Sequence, residues 1–551
     1  MKRFIYIGLF AALTLTSCKD EFLDRIPLNS VSEETFWKTE NDVYLAVNGI
    51  YATLPGDGII YEDGASDIAH AQYPWESTAT SVSSGIVSTA LNAGWNYEIV
   101  RKSNYFLENV DKATMDEALK NRYKAEVRFL RAYRYFNMAS KFGGVPLITK
   151  VLGFTEEELN VPRASKDEVI SFVLKELDEV ANILPNSYAG GKNNEKGRIT
   201  KGAVLALKSR ILLNEAKYAE AAAAAQEVMG LGYQLFKTSQ ESEIDQKDDY
   251  SKLVDFANAD EQKKFRLALR SYEGIFHQAN EGNSEVILER QYIQQAQPNY
   301  LNTYLLEGGV GGWSSLTPTQ ELVNSYQNFK TGEAVAVPSN QERAQRYADK
   351  DKTAFLLEYK NRDPRFYASI LFETAPWNAL TIDGGYKFSW VDGASNMSKT
   401  GYNFRKMVDT KANRDNLDNH SNVILIRYAE VLLNYAEAKN ESTGPDATVY
   451  AAIDQIRERA GMPKLDRTKY ASKEALRNAI RQERKVELAL EGVRYLDIRR
   501  WKTAPDVMKN IYNLKNSLAQ ERIWDNKLYL MPVPQSQMDL SYGVLVQNPG
   551  Y

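Results

Sequence analysis

Between Thr200 and Tyr233 the chain spells out two helices that cannot stand alone. Ala203, Leu207, Ile211 and Leu212 recur at intervals near three and four residues, the period of a helix that buries one face. A break at Lys217 and Tyr218 leads into an alanine-rich stretch, Ala219 to Met229, closed by Gly230. Two helices in about 34 residues, with small side chains where backbones must approach, have tetratricopeptide length. Such a unit leaves apolar surface uncovered until neighbours stack on it. Asn422 to Asn440 with Ala447 to Ala460 reads as a second pair. The expected fold is therefore mostly α, a helix-pair solenoid.

Other segments agree. Tyr123, Val127, Leu130, Tyr133 and Phe136 stripe a helix from Leu119 to Ser140, which Gly143-Gly144 and Pro146 should end. Ser165 to Leu184 forms another, and Ser165 stands three residues before Glu168, the spacing of a capping box. The solenoid is expected to be interrupted by a large, irregular and partly β insertion, from about Leu235 to His420. Ser239 to Lys264 is polar and reads as a surface excursion, and from Arg266 onward the helical period fades. Trp313, Trp377, Trp390 and ten tyrosines lie between 264 and 420. Aromatic-rich irregular structure carried on a rigid scaffold is where binding resides.

With 551 residues, 43% of them apolar, the chain can bury a large core. A net charge of −4 argues against a nucleic-acid partner. One cysteine excludes a disulfide framework and a thiolate metal site. That cysteine has another explanation. Lys2 and Arg3 precede an apolar run of twelve, Phe4 to Leu15. At 1.5 Å per residue the run spans roughly 18 Å of a membrane core about 30 Å thick, too short to cross, and reads as a secretory leader. Leu15-Thr16-Ser17-Cys18 resembles the bacterial lipobox, which makes Cys18 the acylated first residue of a mature chain. Lys19-Asp20-Glu21 is similar to a surface-export signal of such lipoproteins.

A family resemblance rests on longer motifs. The stretch Arg481 to Trp501 (RQERKVELALEGVRYLDIRRW), the ending Tyr529-Leu-Met-Pro-Val-Pro534 with Gln547-Asn-Pro-Gly-Tyr551, and Ile426 to Ala438 resemble the SusD/RagB family of outer-membrane nutrient-binding lipoproteins. Cys18 to Asp24 with Pro27, and Trp95 with Asn104, also match. The resemblance implies a signal peptide over 1–17 and a single domain over 18–551. Its helical scaffold would cover about 30–234 and 421–510, and its variable ligand-binding insertion about 235–420. It further implies a lipid-anchored, outward-facing protein of the outer membrane, partnered by a SusC-like TonB-dependent barrel. Within the motif, Arg481, Glu483, Arg484, Glu487, Glu491 and Arg494 are spaced to pair along one exposed helical face, with Val486, Leu490, Val493 and Leu496 on the packing side. Neighbouring arginines should keep Glu487 and Glu491 ionised.

A sugar ring offers an apolar face to aromatic rings and a hydroxyl rim to carboxylates and amides. Two stretches supply both. The first is a loop, Asp67 to Trp75, with Asp67, Tyr73 and Trp75 as candidates and His70 as a rim donor. The second contains Tyr292, Asn299, Tyr300 and Tyr304, then Gly308-Gly-Val-Gly-Gly-Trp313, whose glycines free the ring to face ligand. Trp37, Trp95 and Trp501 adjoin helical motifs and read as core; Trp377 and Trp390 are weaker binding candidates. No H-E-x-x-H, G-x-S-x-G or G-x-x-x-x-G-K-[ST] occurs. The expectation is a non-enzymatic glycan binder that needs no cofactor or metal. An oligopeptide ligand is the alternative, and a glycoside hydrolase built from two carboxylates ranks below it.

Overall fold

The computed structural model describes residues 36–153, 155–188, 195–380, 385–411 and 419–551. Cys18 and the leader therefore lie outside the described residues. Ten helices of twelve or more residues make up the scaffold among the described residues: α1 (Glu40–Tyr51), α2 (Glu98–Asn109), α3 (Glu117–Phe142), α4 (Lys166–Ala181), α5 (Lys201–Asn214), α6 (Tyr218–Met229), α7 (Ala259–Glu273), α8 (Tyr428–Thr443), α9 (Ala447–Arg459) and α10 (Lys473–Glu487). α3 packs on α4, α5 on α6, and α8 on α9, while α6 and α10 both lie against α8. None of the described helices is long and apolar enough to cross a membrane.

Local signals set the helix ends. Ser165 Oγ accepts the Glu168 N–H at 3.2 Å, and the Glu168 carboxylate accepts the Ser165 N–H at 2.8 Å, completing the expected box. α3 stops at Gly143, whose φ of 74° a side chain would resist.

Two expectations change. Residues 422–427 are not helical: β4 (Val423–Arg427) pairs antiparallel with β2 (Val286–Arg290), and helix α8 begins only at Tyr428. Val423-Ile-Leu-Ile is buried throughout, and branched side chains of this kind suit a covered strand. Within 235–420, α7 continues through Arg266 to Glu273, burying Phe265, Leu269 and Tyr272 at helical spacing. The polar excursion before it is anchored, since Asp248 is buried and paired with Arg270 at 2.7 Å.

The charged face of α10 is also not a solvated one. Glu483, Arg484, Glu487, Glu491 and Arg494 are all buried. Glu487 meets Arg427 at 2.7 Å, Arg365 at 2.8 Å, and Arg459. Glu491 meets Arg427 at 2.6 Å and Lys406 at 2.7 Å. Burial pushes the Glu487 carboxyl up, but Arg459, Arg427 and Arg365 override it and hold the group below its ordinary range. Glu483, Arg484 and Glu487 of α10, and Glu491 and Arg494 just beyond it, thus face other elements rather than water, while Arg481 is half-buried and Lys473 and Glu474 at the start of the helix stay exposed. Val486, Leu490 and Val493 pack inside as expected, with Leu496 half-buried.

Candidate functional site

The two aromatic stretches meet because of one short strand pair. β1 (Ala69–Ala71) runs antiparallel to β3 (Leu316–Pro318), with Ala71 opposite Leu316. Residues 72–76 therefore leave β1 beside residues 313–315 entering β3, and the Gln72 N–H donates to the Ser315 carbonyl at 2.8 Å. Three residues of the stretch read as a loop, Ala69 to Ala71, are strand, and this is what draws the two segments together.

Trp75 is 77% exposed and stacks on Tyr73, with ring centroids 5.0 Å apart and planes 27° apart. The Tyr73 hydroxyl accepts from Gln72 Nε2 at 2.9 Å and donates to Asn396 Oδ1 at 3.0 Å. The Asn396 carbonyl accepts from the Gly308 N–H and from Ser314 Oγ, which joins the glycine-rich turn to the same residue. Glu76 clasps both segments: one carboxylate oxygen accepts from the Tyr61 hydroxyl at 2.6 Å, the other from Ser315 Oγ at 3.0 Å. Burial, then that bond to Glu76, drives the Tyr61 phenol far above its ordinary value, so it stays a donor. Tyr61 meets Tyr304 edge-on at 5.5 Å. Tyr304 in turn lies against Tyr300 at 6.1 Å and Trp313 at 6.5 Å. Tyr300 and Trp313 are 44% and 41% exposed. Trp75 and Trp313 are the exposed tryptophans among the described residues; Trp37, Trp95, Trp377 and Trp390 are buried, and Trp501 is half-buried.

Trp313 owes its position to the turn before it. Gly311 has φ 84°, and a Cβ on Gly312 would lie 2.0 Å from the Leu306 carbonyl oxygen. That oxygen also accepts the Ser314 N–H at 2.8 Å, so Gly312→Ala must open the turn. We expect limited proteolysis to cut that variant between residues 306 and 313 under conditions the parent resists.

Other candidates are committed elsewhere. Asp67 is buried and takes Arg494 through both oxygens, at 2.7 and 2.8 Å. Burial raises its carboxyl, but Arg494 and Lys485 hold it well below the usual range. Asn299 is buried, its amide donating to the Ser421 carbonyl at 2.7 Å. Tyr292 is half-buried under Arg290, in the wall of a separate cavity of about 450 Å³. Asp67 and Asn299 are thus spent on internal partners, while Tyr292 is joined to Tyr300 through Asp57, whose N–H donates to the Tyr292 hydroxyl at 3.0 Å and whose carboxylate accepts the Tyr300 N–H at 2.7 Å. His70 points inward, its Nδ1 at 3.2 Å from Gln520 Oε1. Burial, then Arg522, pushes its imidazole down to about 3. Below its ordinary value of about 6.5 the unfolded chain binds a proton there that the folded chain refuses, so stability falls as pH drops from 6.5 toward 3. His70→Gln is expected to flatten that part of the profile of thermal midpoint against pH.

Tyr61, Glu76, Gln72 and Asn396 were not singled out from the sequence. Glu76 is signalled only by its place after Trp75, and nothing marks Asn396 more than 300 residues away.

The model of the SusD family matches residues 272–551, half of the chain. The protein belongs to the SusD family. A second model, described as starch-binding associating with outer membrane, matches residues 21–213. A SusD-like protein of Formosa agariphila is 24% identical over the full length of both chains. A SusD-like crystal structure from Bacteroides fragilis superposes with a TM-score of 0.78 at 30% identity, covering 96% of this chain and 100% of that one. A SusD-like carbohydrate-binding protein of the same organism gives 0.74 at 25% identity, covering 92% and 99%. The helix-pair scaffold is thus the one this family uses.

Proposed function

We propose that this SusD-family protein binds an oligosaccharide on the surface formed by Trp75, Tyr73, Trp313 and Tyr300, and passes it unaltered to a SusC-like TonB-dependent transporter. The observation that carries the reading is that the two exposed tryptophans among the described residues stand on loops joined through β1 and β3. An exposed indole with one face packed and the other toward solvent suits the apolar face of a pyranose. Glu76, Asn396 and Gln72 hold the rings and offer polar atoms near the rim. The carbohydrate-binding relative supports the ligand class. Acylation at Cys18 would tether the protein to the outer membrane, facing outward, where long glycans are met before import.

Calorimetry against a glycan panel tests the reading, with each glycan also incubated with protein and assayed for new reducing ends. Binding without cleavage is expected. Binding of a peptide panel with every glycan failing selects an oligopeptide ligand instead, and cleavage would make the protein a hydrolase.

A further inference from the structure

A second cavity, of about 330 Å³, lies between α3, the segment 53–62 and the segment 491–499, which runs into the short helix Arg494–Arg500. It reaches solvent at Gly58 and Gly94, both exposed, and its volume is within the range of small-ligand sites. The charged residues in its wall are unevenly neutralised. Lys141 pairs with Glu62 and Arg210 with Glu430, while Glu491 is already held by Arg427 and Lys406. Arg134 and Arg499 have no carboxylate partner among the described residues. Arg134 donates only to the carbonyls of Asn96 and Gly94. Arg499 donates to those of Ser140, at 2.7 Å, and Tyr529, at 3.4 Å, and lies over the Tyr495 ring at 4.8 Å. Arg499 is 6% exposed and its Nε is buried without a partner.

A buried guanidinium loses its hydration, and two carbonyl oxygens and one ring face offset that loss only in part. Arg499 also acts on a neighbouring cation outside the wall: burial first, then Arg499 and Lys166, depress the Lys502 ammonium. Two guanidiniums without counter-charge on one cavity present planar donors that match the oxygens of a carboxylate or sulfate. Ile59, Tyr133, Phe136 and Leu496 add an apolar wall suited to a ring.

We propose that this cavity is an oxyanion site in which Arg499 and Arg134 hold a carboxylate or sulfate group, free or borne on a saccharide. The site is distinct from the exposed tryptophans and does not depend on them. It is therefore tested in a Trp75→Ala/Trp313→Ala background, so that failure of the glycan surface leaves the result readable.

The probes are sodium sulfate and sodium glucuronate, titrated calorimetrically at constant ionic strength with glucose as the neutral control. At least one anion is expected to bind and glucose is not. Arg499→Gln, Arg134→Gln and Asn137→Asp, the last placing a carboxylate on the cavity wall, are each expected to weaken binding tenfold or more. Sulfate binding alone assigns a free anion, and tighter glucuronate binding assigns a saccharide substituent. Should Arg499→Gln fail to fold, the other two variants decide. Absence of binding by both anions, or equal binding in parent, Arg134→Gln and Asn137→Asp, overturns the proposal.

Discussion

Arg427→Met is expected to cost the scaffold about 3–5 kcal/mol, the loss that follows when one partner leaves a buried ionic cluster. Arg427 is fully buried and reaches Glu285 at 2.6 Å, Glu487 at 2.7 Å and Glu491 at 2.6 Å. Methionine fills much of the volume but leaves three carboxylates facing one another. Arg459, Arg365 and Lys406 neutralise them only in part. A lower thermal midpoint is the first readout. The second is acid sensitivity. Burial raises the Glu491 carboxyl, and Arg427 with Lys406 brings it below its ordinary value. A carboxyl so depressed stabilises the fold above the unfolded value near 4.5, and that contribution fades as pH falls through the folded one. Without Arg427 the folded values of Glu487 and Glu491 rise, so acid unfolding begins at higher pH. Arg427→Met/Glu285→Gln should recover part of the loss, because Arg459 keeps Glu487. Lys102→Met, which breaks the exposed pair with Glu98, should leave the midpoint unchanged. Equal behaviour of Arg427→Met and Lys102→Met would show that the buried cluster contributes no stability.

That cluster also marks where sequence reasoning ends. Apolar spacing located α3, α5 and α6, and the Ser165–Glu168 box placed the start of α4, because those signals lie within one or two turns. The spacing of Glu483, Glu487 and Glu491 reads the same whether the face meets water or other charges. Arg365 lies 118 residues from Glu483, and Arg494 lies 427 from its partner Asp67. No local pattern carries information over that distance, so Asp67 looked like a free rim carboxylate when it is a buried counter-ion. β4 resists sequence reading for a related reason: a short apolar run is ambiguous between strand and buried helix until its partner, β2, is known. Glycines before Trp313 and polar turn residues around Trp75 did mark open loops. Only the pairing of Ala71 with Leu316 reveals that the two loops are neighbours.

If the exposed rings grip a glycan, Trp75→Ala and Trp313→Ala should each weaken it by about 2 kcal/mol, roughly 30-fold, as for aromatic anchors at binding surfaces. Each indole is large, has few torsions to freeze and is already oriented, Trp75 by its stack on Tyr73 and Trp313 by the hydrogen-bonded turn. Little of the loss can come from unfolding, because both rings project from the surface and the thermal midpoint should hold. Phenylalanine at either position keeps an apolar face and should retain most of the affinity. Tyr73→Phe keeps the stack but gives up the bond to Asn396, so a smaller loss is expected there. Stacking is short-ranged and uncharged, so affinity for a neutral glycan should change little between low salt and several hundred millimolar salt. Calorimetry with the tightest glycan of the panel measures all of these. A Trp75→Ala/Trp313→Ala variant that binds that glycan like the parent would move the site away from β1 and β3.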